Sequence, residues 1–125
     1  MPNPPYIFSD RGDVYVYDDL AALYAEIEAV DVSGLDLFDA TGRPLRAVVS
    51  GYTWTVDEDD VLSPEPERLI SMLRTYFERM PEDFSGYRAR AAEMTSLSDL
   101  IALRQQLARE PAPGFVARLF RRSWG

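Results

Sequence analysis

The chain has 125 residues, 46% of them hydrophobic, and a formal net charge of −8 from 21 acids against 13 cations. That size and apolar content suit one domain with a modest core and exclude wholesale disorder. There is no cysteine, histidine or lysine, which excludes disulfides, thiolate and Ser-His-Asp catalysis, Cys-ligated zinc, Schiff-base chemistry and a P-loop lysine.

Residues 1–12 are rich in proline and are expected to lie extended, with Tyr6-Ile7-Phe8 as an edge strand. Asp13-Val14-Tyr15-Val16-Tyr17 is β-branched and aromatic, the composition of a short strand. Asp18 or Asp19 then caps a helix predicted over 19–29, whose apolar face is Leu20, Leu23, Tyr24, Ile27 and Val30. Residues 34–39 and 44–49 read as a hairpin around Gly42, and Ser50-Gly51 turns into the alternating strand 52–56. In that last strand Tyr52, Trp54 and Val56 share one face. The simplest sheet is a three-stranded meander, with Val14–Tyr17 as a candidate fourth strand.

The strongest helix signal follows, from Ser63 to about Met80. Ser63 is the expected cap and Pro64 the first helical residue, while Glu65 and Glu67 suit the positive end of the dipole. Its core stripe is Leu69, Leu73, Tyr76, Phe77 and Met80, and Pro81 stops it. A loop over 82–86, a short helix over 87–94 and a helix begun by Ser96 follow, the last with Leu97, Leu100, Ile101, Leu103 and Leu107 inward. The fold class is therefore α+β: a small antiparallel sheet packed by helices, with a helical C-terminal half. After a Pro-Ala-Pro-Gly break, the tail 115–124 is basic and aromatic. It reads as a docked terminal helix or as a segment that binds a membrane surface or a partner groove.

No apolar run approaches the roughly 18 residues of a membrane span. The N-terminus has no basic region followed by an apolar one, so no signal peptide is read. A cytoplasmic location is the expectation. Charge is divided along the chain: residues 1–67 hold fifteen acids and three Arg, and residues 68–125 hold six acids and ten Arg. The acidic balance argues against a nucleic-acid binder, since phosphate contacts need a basic footprint.

The densest acidic stretch is TVDEDDVLSPEPE at 55–67. As a calcium loop it fails, because Leu62 stands where the glycine belongs and Arg68 where the closing glutamate belongs. Four adjacent acids on one segment also diverge, unlike the converging carboxylates of a two-metal site. Carboxylate-pair catalysis needs two acids across a cleft, and candidates such as Asp36, Asp39, Glu58 and Asp60 carry no specific signal for it. Glu65 and Glu67 are explained as a helix leader. Asp57, Glu58, Asp59 and Asp60 read either as a solvated turn or as a surface for a basic partner, helped by Asp36, Asp39 and the nearby aromatics Tyr52 and Trp54. For the two aromatics the other reading is sheet core. No metal, cofactor or catalytic residue is expected.

The VYVY strand, the acid-led helix DDLAALYAEIEAVDV, the hairpin LDLFDATGRPLRAVV and the helix PERLISMLRTYF form a pattern. It resembles small acidic bacterial proteins of actinobacterial type, specifically the immunity proteins of polymorphic toxin systems. The resemblance carries no catalytic or binding residue. It implies a cytosolic, non-enzymatic protein that binds one cognate toxin domain and occludes it, as in toxin–antitoxin pairing. The alternatives are a structural or regulatory interaction module of a larger bacterial assembly, docked by the tail, and a carboxylate-dependent enzyme.

Overall fold

Strand β1 (Tyr6–Asp10) has four buried residues in succession, which requires cover on both faces. In the computed structural model, which describes residues 2–57 and 62–109, β1 has that cover and is also an interior strand by its pairing. It pairs antiparallel with β2 (Asp13–Tyr17) on one side and with β3 (Asp36–Phe38) on the other. β4 (Pro44–Leu45) completes the sheet in the order β2-β1-β3-β4. The edge-strand expectation for Tyr6-Ile7-Phe8 is thus corrected. Its second partner, β3, is distant in sequence, so the local composition of the run does not report it.

The meander is corrected as well. β5 (Ala47–Ser50) and β6 (Thr53–Val56) form a separate two-stranded ribbon. The strand changes partner at Arg46, whose carbonyl accepts the Asp57 N–H at 2.8 Å and so belongs to the second ladder. Val14–Tyr17 joins the sheet through β1 and not through the hairpin.

Two apolar clusters lie on the two faces of the sheet. Ile7, Val14 and Phe38 face α3 (Pro66–Glu78), α4 (Ser85–Glu93) and α5 (Leu97–Arg109). The predicted stripe Leu69, Leu73, Tyr76, Phe77 and Met80 is buried there, with Leu100, Ile101, Leu103 and Leu107 from α5. Residues 82–84, expected as loop, form a single 3-10 turn leading into α4. Ser96 caps α5 by accepting the Asp99 N–H at 3.1 Å. The architecture is α+β.

Tyr6, Phe8 and Leu37 face the other way, onto α1 (Leu20–Glu26), α2 (Ala29–Val32) and the ribbon. Asp19 caps α1, its carboxylate accepting the Ala22 N–H at 2.7 Å. The helix predicted over 19–29 breaks at Ile27, which is extended. The break resets the helical phase, so Ala29 and Val32 turn inward and Val30 is left 80% exposed.

α3 begins at Pro66 and not at Pro64, and its N-cap is Glu65 with no side-chain cap, not Ser63. A long-range bond fixes this start: the Glu65 N–H donates to the Gly42 carbonyl at 2.8 Å. Gly42 has φ +82, and a Cβ there would lie 2.7 Å from the Pro66 Cα. Backbone cannot yield as a flexible side chain can. Gly42→Ala is therefore expected to cost more than about 2 kcal/mol, from the left-handed φ and the clash together. Urea denaturation measures this, and a variant as stable as the parent would refute the packing argument.

Candidate functional site

Trp54 organises the exposed side of the molecule from within. Its indole N–H donates to the Ile27 carbonyl at 2.8 Å, using the acceptor freed where α1 ends. Tyr24 packs edge-on against it at 4.7 Å, and the Tyr24 hydroxyl accepts the Val56 N–H at 3.0 Å. These contacts clamp the ribbon onto α1. Trp54 is consequently 5% exposed: its reading as an exposed contact is corrected to core, from which it lines the groove described next.

The clamp leaves the far end of the ribbon open. Val49 stands opposite Trp54 in the ladder and so shares its face, yet it is half-exposed. Tyr52, at the tip after Gly51, is fully exposed. With Val30 from α2 they border a groove of about 920 Å³ whose floor includes Tyr24, Ile27 and Trp54. Glu28 adds a carboxylate to its lining. Exposed apolar side chains gathered around one concavity mark an interaction surface more than scattered ones do.

The acids predicted for a binding surface do not share a location. Asp39 is fully buried, and its carboxylate accepts four hydrogen bonds: from the Asn3 N–H, the Thr41 N–H, the Thr41 hydroxyl and the Arg43 N–H. It is thus corrected from partner contact to structural anion, because a carboxylate engaged by its own turn presents nothing to a partner. Asp36 is exposed and lies 3.4 Å from the Arg68 guanidinium. Asp57 is half-buried at the end of β6 opposite Tyr52, about 16 Å away along extended chain. Glu58, Asp59 and Asp60 lie outside the described residues, as does the tail 115–124. Glu65 and Glu67 sit at the start of α3, as a helix leader should.

A second concavity was not foreseen from the sequence. It holds Phe8, Tyr15 and Tyr17 from the sheet, with Asp10, Glu26 and Asp31 among its lining. Phe8 stacks on Tyr15 at 4.7 Å and on Tyr17 at 5.7 Å. The VYVY alternation does place both tyrosines on one face, but only the pairing of Phe8 with Tyr15 brings the third ring beside them. Burial, then the Glu26 charge, push the Tyr17 phenol up to about 12. Ile27 contributes to the lining of both concavities.

Among the described residues, no group of three or more acids is gathered as a metal site would be, and no helix is long and apolar enough to cross a membrane. No protein-family model matches this chain, and comparison with curated proteins and with solved structures finds no match.

Burial alone would raise the Asp39 carboxyl, but the bonds from Thr41, Asn3 and Arg43 outweigh it and hold the group below its ordinary 3.8. A lowered folded value means that the stabilisation is fully present above that ordinary value. It is lost as the pH falls through the lower folded one. Asp39→Asn should cost about 2 kcal/mol at neutral pH, since an amide cannot accept from all four donors. The variant should also lose less stability on acidification than the parent. Urea unfolding of both proteins from neutral to acid pH tests this; parallel pH profiles would refute it.

Proposed function

We propose that this protein is a non-enzymatic protein-binding protein of the immunity kind, acting in the cytoplasm by occluding a basic toxin domain. The observation that carries the reading is the ribbon. One end is clamped by Trp54 and Tyr24, and the other holds a fully exposed Tyr52 beside a groove bordered by Val30 and Val49. An aromatic presented on a preorganised support binds without a large ordering cost, and tyrosine is a frequent hot-spot residue.

Charge supports the choice of partner. The first 67 residues carry fifteen acids against three Arg, and four of those acids, Asp57 to Asp60, follow directly after the ribbon. Such a surface speeds encounter with a basic protein and orients it, while the apolar groove holds it. Binding of this kind blocks the toxin by covering its working surface and needs no chemistry from this chain.

The test begins with affinity capture from the producing cell. The captured protein must be a toxin domain whose growth inhibition the wild-type chain relieves. Tyr52→Ala should then weaken binding by about 2 kcal/mol, roughly thirtyfold, with an unchanged unfolding midpoint. Asp57→Asn, Glu58→Gln, Asp59→Asn and Asp60→Asn together should slow association about tenfold at low salt and leave dissociation nearly unaltered. A captured partner without toxicity, or full affinity in Tyr52→Ala, would sink the reading.

A further inference from the structure

The concavity beside the ribbon groove has a composition of its own. Its floor is aromatic, with Phe8 stacked on Tyr15 and Tyr17. Its lining includes three carboxylates, Asp10, Glu26 and Asp31, and one cation, Arg11. Arg11 does not fill it: its side chain is 96% exposed, with Nε 4.0 Å from the Asp10 carboxylate. The space, about 550 Å³, is therefore acidic overall, open and walled by π faces.

We infer that this concavity seats an arginine side chain of a partner protein, its guanidinium against the Tyr17 ring and its N–H groups toward the carboxylates of Glu26 and Asp31. A guanidinium is planar and weakly hydrated, stacks on aromatic faces and pairs with carboxylates through a fork of donors; an ammonium does the first two poorly. The chain already places its own arginines over rings in this way. Arg104 lies 5.8 Å from the Tyr15 centroid and 5.2 Å from that of Tyr76, and Arg68 lies 5.3 Å from that of Phe38. Arg104 lies over Tyr15, and among the described residues no arginine lies over the Tyr17 ring, although the Arg104 charge reaches it. The inference rests on the reading that this chain binds a basic protein, and deepens it: the ribbon groove takes apolar side chains while this seat, which shares the lining residue Ile27 with it, selects an arginine.

The test needs no partner, so its outcome is independent of the capture experiment. The full-length, 15N-labelled chain is titrated with N-acetylarginine methylamide and, separately, with N-acetyllysine methylamide, at a constant ionic strength of about 0.15 M. Saturable shifts confined to the amides around Tyr15, Tyr17 and Leu35 are expected with the arginine probe, in the millimolar range. The lysine probe should bind several-fold more weakly. Glu26→Gln with Asp31→Asn, both exposed positions that leave the core intact, should weaken arginine binding about fivefold, and Tyr17→Leu by a similar factor. Equal response to both probes, shifts spread over the whole acidic surface, or undiminished binding in the carboxamide variant would overturn the assignment. A further control replaces Arg118, Arg121 and Arg122 with Gln in the free chain. Unmoved groove amides support a seat for a partner, and displaced ones would assign it to the chain's own tail and overturn the proposal.

Discussion

One buried anion joins three separate parts of this chain. The Asp39 carboxylate accepts the Asn3 N–H from the N-terminal segment and three further bonds from its own turn. The Asn3 carbonyl in return accepts the Ala40 N–H, and the Gly42 carbonyl receives the Glu65 N–H that starts α3. Removing a carboxylate from water costs several kcal/mol, and only charge-assisted hydrogen bonds on both oxygens offset that. The turn supplies them, so Asp39 remains ionised while fixing where β1, β3 and α3 meet. An apolar residue would take from the Asn3, Thr41 and Arg43 donors the acceptor they now share.

From that junction the two faces of the sheet develop differently. On one, α3, α4 and α5 close over Ile7, Val14 and Phe38. The free edge of β2 on this side is covered by the buried Arg104, whose Nε–H donates to the Val14 carbonyl at 2.7 Å. A side chain from a helix thus occupies an acceptor that would otherwise invite another strand. On the other face the cover is thinner: the short α1, a single turn of α2 and a two-stranded ribbon. The ribbon groove and the aromatic concavity are lined from that face, and a smaller concavity of about 280 Å³ lies beside α3 on the other.

The ribbon illustrates how a core contact creates a surface feature. The Ile27 carbonyl is available because α1 ends there, and Trp54 takes it. The same break leaves Val30 outside, and Tyr52 stands exposed in the turn at the tip of the clamped ribbon. Apolar exposure at these positions is thus a consequence of specific bonds, and the acidic residues nearby give the exposed surface its electrostatic character.

Features set by neighbours in sequence were legible in advance. The α3 stripe from Leu69 to Met80, the Asp19 and Ser96 caps, the turn glycine at 42 and the α+β class all rest on local periodicity or on bonds within a few residues. The burial of Asp39 and Trp54 was not legible, because an acid or an indole has the same local pattern on a surface as inside. What separates the two is whether distant groups satisfy them, such as Asn3 for Asp39 and Ile27 for Trp54. The interior position of β1, the split of the hairpin into a second ladder, the exposure of Val30 and the meeting of Phe8 with Tyr15 and Tyr17 were likewise decided by tertiary structure alone. Each depends on long-range pairing, and a polar or aromatic side chain is buried only where such pairing replaces its contacts with water.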